Sequence, residues 1–459
     1  MLEKIRRRIN DVPPARLIVI SFAIIIVVGG ILLCMPFCTR SGQPTQPIDA
    51  FFTAGSATCV TGLIPFDTYL HWNLAGQIII LVLIQVGGLG LVTFTTGASL
   101  LMRKRMGLRN LKLAAETTSG SAADINGLIR IILIFTFGCE LLGAAILMCR
   151  FVPLYGSMGI WVSIFTAVSA YCNAGFDILG FVMPSGNLIP FAGDPLVILT
   201  VAGLIIIGGL GFIVINDIYQ AKLKPGLLRR ARTPLRFHSR VVLLVTGVLL
   251  VLGTVLFLLL EQDNTLRGMS VGEKLNVAFF QSVSARTAGF ASVDIGKELD
   301  FTKIVTIVLM FIGASPAGTG GGIKTTTLLV LICTVRAVMR GDEEAVFAHR
   351  RIDKFAVYRA LAITLMGGLI VIVTSGILSA LEPNANGIDL FFEATSAFGT
   401  VGISADVTPG LSPLSKFVLI LTMFVGRVGP VSLGLAVSLK HSHAAAVSSV
   451  LPEGKIIVG

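Results

Sequence analysis

The sequence predicts an all-α integral membrane fold: eight transmembrane helices and four shorter re-entrant helices, arranged as four parallel repeats. Three observations predict it. The chain is overwhelmingly apolar, its basic residues gather in alternate loops, and one short Phe- and Gly-containing segment recurs four times.

Of the 459 residues, 13% are charged and 54% hydrophobic, and mean hydropathy is +0.88. That balance excludes an ordinary soluble domain. A spanning helix needs about 20 mostly apolar residues. Such stretches run Arg16–Cys38, Leu74–Met102, Ile125–Met148, Pro195–Ile215, Arg240–Leu260, Phe355–Leu381 and Leu414–Leu439. An eighth, Phe301–Met339, is too long for one crossing and is interrupted midway. The first stretch follows Lys4, Arg6, Arg7 and Arg8. It exceeds the usual signal-peptide core and no small-x-small cleavage site closes it, so it reads as a span.

The net charge of +11 is not spread as a nucleic-acid surface would be. Basic residues collect in Lys4–Arg16, Arg103–Lys112, Lys222–Arg240, Arg336–Arg359 and the tail from Lys440, while the intervening loops carry few. This positive-inside alternation places both termini in the cytoplasm. The seven cysteines form no CxxC pair and read as small buried hydrophobes.

The repeat organises everything else. The segments are FFTAGSATCVTGL from Phe51, IFTAVSAYCNAGF from Ile164, FFQSVSARTAGF from Phe279 and FFEATSAFGTVGI from Phe391. Their last glycines, Gly62, Gly175, Gly289 and Gly402, are spaced by 113, 114 and 113 residues. The units fall at 1–120, 121–235, 236–350 and 351–459, each with a first span (M1), a short helix (P) and a second span (M2). Two spans per unit give all four the same orientation, which suits a pore along the membrane normal rather than a rocking carrier. Segments such as Asp49–Thr58 and Asp389–Phe398 are too short to span, so they re-enter, and backbone turning at that depth must line a wet cavity or be buried by protein.

The candidate site follows each short helix: Cys59-Val60-Thr61-Gly62, Cys172-Asn173-Ala174-Gly175, Arg286-Thr287-Ala288-Gly289 and Gly399-Thr400-Val401-Gly402. Backbone carbonyls from four loops can replace the hydration shell of a monovalent cation without the full charge that would trap it. Glycine admits the positive φ that turns the carbonyls to one axis. The partly negative C-terminal ends of the short helices favour a cation there.

With these motifs, the chain resembles the pore-forming subunits of the Trk/Ktr/HKT superfamily of potassium transporters, nearest to the bacterial Ktr type. The likeness extends over the four filter segments, the eight-span plan, the glycine-rich break after the third filter and the terminal PEGKIIVG. It implies potassium uptake across a bacterial plasma membrane, a homodimer with one pore per protomer, and a cytoplasmic RCK-type ring of nucleotide-binding regulatory subunits. It also implies preference for K+, because a serine in the first filter accompanies sodium transport in some plant relatives and Gly62 stands here. Co-transport of Na+ stays open, and no organic cofactor is expected. The third filter, Ser284 to Gly289, is one residue shorter than Ser56 to Gly62, so its backbone need not match the others.

Two further features carry expectations. Arg427 lies about halfway along Leu414–Leu439, where a lone cation costs about 2.5–3.5 kcal/mol on insertion scales. It is expected below the filter as a barrier to queued cations, the other reading being a structural arginine held by helix carbonyls or by Glu140. Gly313-Ala314-Ser315-Pro316-Ala317-Gly318-Thr319-Gly320-Gly321-Gly322-Ile323-Lys324 interrupts the third repeat's second span. Its glycines and proline forbid a continuous helix, and Ile323 between Gly322 and Lys324 spoils a nucleotide P-loop. A broken helix bordering the permeation path, mobile enough to gate it, is expected. The five histidines lie in predicted loops or tails, as solvated surface. An enzyme would need paired catalytic groups within spans, and a sodium-coupled solute carrier would need inverted repeats and a polar midplane pocket; neither pattern is present.

Overall fold

The computed structural model describes residues 14–90, 125–223 and 234–430. In the first repeat these form α1 (Pro14–Cys34), α2 (Pro47–Cys59) and α3 (Leu74–Leu89). The second holds α4 (Ile125–Tyr155), α5 (Ser157–Cys172), α6 (Pro195–Gly209) and α7 (Phe212–Ile218). The third holds α8 (Phe237–Glu261), α9 (Val271–Ser284), α10 (Asp300–Phe311) and α11 (Thr325–Arg340). A small hairpin, Val346–Phe347 with Arg350–Arg351, leads to α12 (Lys354–Leu381), α13 (Gly387–Gly399) and α14 (Pro413–Val428).

Among the described residues, four helices are long and apolar enough to cross a membrane, and they lie in α1, α4, α8 and α12, the first helix of each repeat. Large apolar side chains cover their outer faces: Ile24 is 57% exposed, Leu141 71%, Val251 65% and Leu369 62%. Water would not tolerate such a belt, whereas lipid does.

The short helices are set by local chemistry. Proline opens α2 at Pro47, and Ser270 with Glu273 forms a capping box at α9. The helices α2, α5 and α13 stop on left-handed residues, Val60, Asn173 and Thr400, whose N–H groups bond back into the last turn.

Packing closes the repeats into a cycle. The second helix of each repeat lies on the short helix of the next: α3 on α5, α6 on α9, α10 on α13 and α14 on α2. Three of these contacts carry a polar latch. Trp161 Nε1 donates to Gln77 Oε1 at 2.8 Å, Lys303 Nζ meets Asp389 at 2.7 Å and Lys416 Nζ meets Asp49 at 2.7 Å. Asp49 and Asp389 also sit in the first turns of α2 and α13, where a carboxylate complements the helix dipole.

The second helices differ from the continuous spans predicted. The helix α3 ends at Leu89, α6 at Gly209 and α14 at Val428, each followed by a glycine at positive φ: Gly90 at 76°, Gly211 at 90° and Gly429 at 88°. The cause is a second recurring pattern, Val86-Gly87-Gly88-Leu89-Gly90, Ile207-Gly208-Gly209-Leu210-Gly211 and Val425-Gly426-Arg427-Val428-Gly429. Ile312-Gly313-Ala314-Ser315-Pro316 is its third-repeat counterpart, where the glycine-rich loop follows. The break expected only in the third repeat therefore recurs in every one. In the second repeat it bends the chain by 97°. The predicted ends of the first and fourth second spans, beyond residues 90 and 430, lie outside the described residues, as do His441 and His443. All seven cysteines are free thiols.

His71 corrects another expectation. It is half-buried, stacked on Phe66 at 4.4 Å between ring centroids and bonded through Nε2 to Thr45 Oγ1 at 2.9 Å. His238 is also half-buried, in the first turn of α8, and His349 is exposed. Aromatic and helix packing, invisible in a loop-level reading, shields the first two.

Candidate functional site: a ring of four glycines

The four predicted segments meet. Gly62, Gly175, Gly289 and Gly402 have φ of 102°, 71°, 82° and 92°. A Cβ added to any of them would lie under 3.0 Å from a carbonyl oxygen of the next segment. Those oxygens belong to Ala174, Ala288, Val401 and Thr61 in turn, so each glycine faces the residue preceding the next glycine and the fourth returns to the first. Only glycine fits that approach, for both space and φ.

Two residues before each glycine the backbone is again left-handed: Val60 at 57°, Asn173 at 61°, Thr287 at 70° and Thr400 at 48°. Holding a non-glycine residue so costs about 1–3 kcal/mol. Hydrogen bonds offset it. The N–H of the residue preceding each glycine bonds to the carbonyl of a serine in the last turn of the short helix: Thr61 to Ser56 at 2.8 Å, Ala174 to Ser169 at 2.8 Å and Val401 to Ser396 at 2.9 Å. Ala288 reaches Ser284 at 3.0 Å. The third segment's missing residue is thus absorbed between its serine and Thr287, and the left-handed geometry at Thr287 and Gly289 matches the other three. The hydroxyls of Ser56 and Ser396 also accept from Gly62 N and Gly402 N, at 3.0 Å each.

The first residues of these segments face behind the ring, toward the second helix of the preceding repeat. Cys172 lies 3.7 Å from Gln85 Oε1 and 3.9 Å from Glu140 Oε1, Arg286 borders Ile205, Ile206 and Gly209, and Gly399 lies against the Met310 carbonyl. Cys59 is buried with Leu419 and Met423.

On one side of the ring, a cavity of about 310 Å³ is lined by all four glycines and by Asp67, Asp177, Asp294 and Asp406. These aspartates follow their glycines by five, two, five and four residues, one per repeat, so the repeat spacing carries their signal in the sequence. Asp67 ties two repeats together, accepting from Tyr69 N at 2.9 Å and Ser185 N at 2.8 Å. Burial raises the Asp177 carboxyl to about 7, with the Asp67 charge adding to the shift.

The glycine-rich loop packs on the other side of the segments. A Cβ on Gly320 would strike Thr287 Oγ1 and one on Gly321 would strike Thr400 Oγ1. Thr319 Oγ1 donates to the Tyr171 carbonyl at 3.3 Å. The loop is stitched to the break between α6 and α7. Ser315 N bonds to Gly209 O at 3.1 Å, Thr319 N to Gly208 O at 3.2 Å and Phe212 N to Ala317 O at 2.9 Å. Helix termination frees the Gly208 and Gly209 carbonyls for this purpose. Lys324 folds back, its Nζ donating to Gly320 O at 2.7 Å.

Arg427 belongs to the last turn of α14, not its middle, because Gly429 ends the helix. Its guanidinium donates to the Thr319 carbonyl of the loop and the Gly87 carbonyl of α3. Glu140 is engaged elsewhere, accepting from Gln85 Nε2 at 3.0 Å.

An apolar belt around a helical cycle, with carbonyls and glycines converging at its centre, defines an integral membrane protein. The chain belongs to the TrkH family of cation transport proteins, which it matches over residues 7–449. It is 38% identical to the potassium/sodium uptake protein NtpJ of Enterococcus hirae, across 100% of this chain and 99% of that protein. It is 37% identical to the Ktr system potassium uptake protein B of Bacillus subtilis, across 94% of each. The fold is similar to the crystal structure of the potassium transporter TrkH from Vibrio parahaemolyticus, with a TM-score of 0.69 at 16% identity, covering 91% of this chain and 83% of that one.

Proposed function

We propose that this chain is the pore-forming membrane subunit of a bacterial potassium uptake system, with K+ as its substrate. The observation that carries the reading is the closed cycle in which each glycine meets the carbonyl of the next segment. Four carbonyl-bearing loops at one level give a dehydrated cation a ring of oxygens. In this reading the filter comprises residues 59–62, 172–175, 286–289 and 399–402, and the four aspartates of the adjoining cavity gather cations outside it.

Eight crossings, two per repeat, place both termini in the cytoplasm. The loop of residues 313–322 with Lys324 is the gate, Arg427 is both its tether and a positive barrier beneath the filter, and a cytoplasmic regulatory ring acts on it. The protein works as a homodimer in the plasma membrane. The sodium named for the Enterococcus hirae relative supports testing Na+ as a second cargo.

Labelled rubidium uptake into liposomes holding the purified protein tests the core of the proposal. Uptake should be driven by an inward gradient and competed by K+ more strongly than by Na+. Liposomes that take up no more rubidium than protein-free controls, under any regulator condition, would remove it.

A further inference from the structure

Behind the third segment lies a polar site that the ring does not use. Arg286 is 8% exposed and Thr246, on α8, is 7% exposed. Arg286 Nε and Thr246 Oγ1 are both buried without a hydrogen-bond partner, and no ion pair reaches Arg286 among the described residues. Both residues line one cavity of about 20 Å³, closed mainly by Ile205, Ile206, Leu250 and Ala314.

The corresponding place behind the second segment is filled. There Glu140 accepts from Gln85 at 3.0 Å with Cys172 beside it, so the buried acid has a donor. The third repeat has a cation instead, whose Nε–H meets no acceptor among the described residues.

We propose that this cavity binds one small monovalent anion, a halide such as chloride, through the Arg286 Nε–H and the Thr246 hydroxyl. A guanidinium stays charged in any protein setting, and a buried charge left uncompensated is strongly unfavourable. A water molecule could satisfy one hydrogen bond but would bring no counter-charge. The volume exceeds the roughly 10–15 Å³ that a water-sized sphere requires, yet it excludes phosphate or a carboxylate ligand. The two donors are the only polar side chains among the lining residues named, which suits a spherical acceptor rather than a directional one. On the filter reading above, a bound anion would also offset the arginine's repulsion of cations in the third segment.

The test uses purified full-length protein and potassium chloride, bromide and gluconate. A ligand bound only by the folded state raises the melting temperature in a saturable manner. Chloride and bromide should raise it relative to gluconate at equal potassium, Arg286→Gln should abolish the increment, and Thr246→Val should weaken halide affinity several-fold. Bromide-soaked crystals should give an anomalous peak within hydrogen-bond reach of Arg286 Nε. If Arg286→Gln does not fold, Thr246→Val and the bromide peak still decide. An ordered water with no bromide signal, or a halide increment equal in wild type and Thr246→Val, overturns the proposal. Because the readouts are melting temperature and diffraction, neither depends on transport.

Discussion

Replacing Arg427 with alanine removes two charge-assisted hydrogen bonds, to the carbonyls of Thr319 in the loop and Gly87 in α3. A hydrogen bond to a charged group contributes about 1.5–3 kcal/mol. Only the bond to Thr319 distinguishes a seated loop from a displaced one. The loop equilibrium should therefore shift toward displacement by about 10- to 150-fold. The bonds from Ser315, Thr319 and Phe212 across the α6–α7 break persist, each contributing about 0.5–1.5 kcal/mol. The loop should thus remain mostly seated, and basal flux should rise without reaching its limit. On the proposed filter reading, loss of the positive charge beneath it acts in the same direction. Arg427→Lys, which keeps the charge but not the two-armed reach, should fall between wild type and alanine. Rubidium flux into liposomes, with melting temperature as the folding control, measures this. Unchanged flux in a folded Arg427→Ala protein would show that the tether does not hold the gate.

Gly402→Ser and Gly62→Ser should each lower potassium-over-sodium selectivity by on the order of tenfold, since an L side chain at such φ costs about 1–2 kcal/mol and must displace a ring carbonyl. Gly410→Ser, with no atom within 4 Å of its added Cβ, is the control and should match wild type in competition assays. Lys416→Met should destabilise the fold by about 3–5 kcal/mol by stranding the buried Asp49. The double change Lys416→Met with Asp49→Leu should recover most of that in denaturation, and a double variant no more stable than the single would refute the pairing argument. Asp177, raised to about 7 from an ordinary 3.8, binds a proton more tightly when folded. Its contribution to stability is greatest below 3.8, declines as pH rises toward about 7, and is flat above that. Uptake should accordingly fall as external pH drops through 7 and the cavity loses a negative charge, and Asp177→Asn should flatten that limb of the pH profile. If the proposed gating holds, deleting Ala314–Gly320 should raise basal flux and blunt regulation by the proposed cytoplasmic partner, and wild-type regulation in the deletion protein would exclude the loop as gate.

The sequence by itself determined the membrane class, the fourfold phase and the positions of the four segments, because these depend on composition and on spacing along the chain. Glycines 113 or 114 residues apart announce a repeat before any contact is known. Sequence also located the glycine-rich interruption at residues 313–322, since proline and consecutive glycines cannot continue a helix. Tertiary structure alone decided what those parts touch. The cycle of glycines and carbonyls unites residues hundreds of positions apart, and no local propensity encodes that each glycine faces the next segment rather than its own. The breaks at Gly90, Gly211 and Gly429 were written in a recurring Gly-x-x-Gly, but the apolar residues around them gave an uninterrupted hydropathy signal and masked the stop. Arg427 illustrates the division most clearly. Its unusual charge was legible from one line of sequence, whereas its acceptors, two backbone carbonyls of other repeats, exist only because the chain closes into a ring.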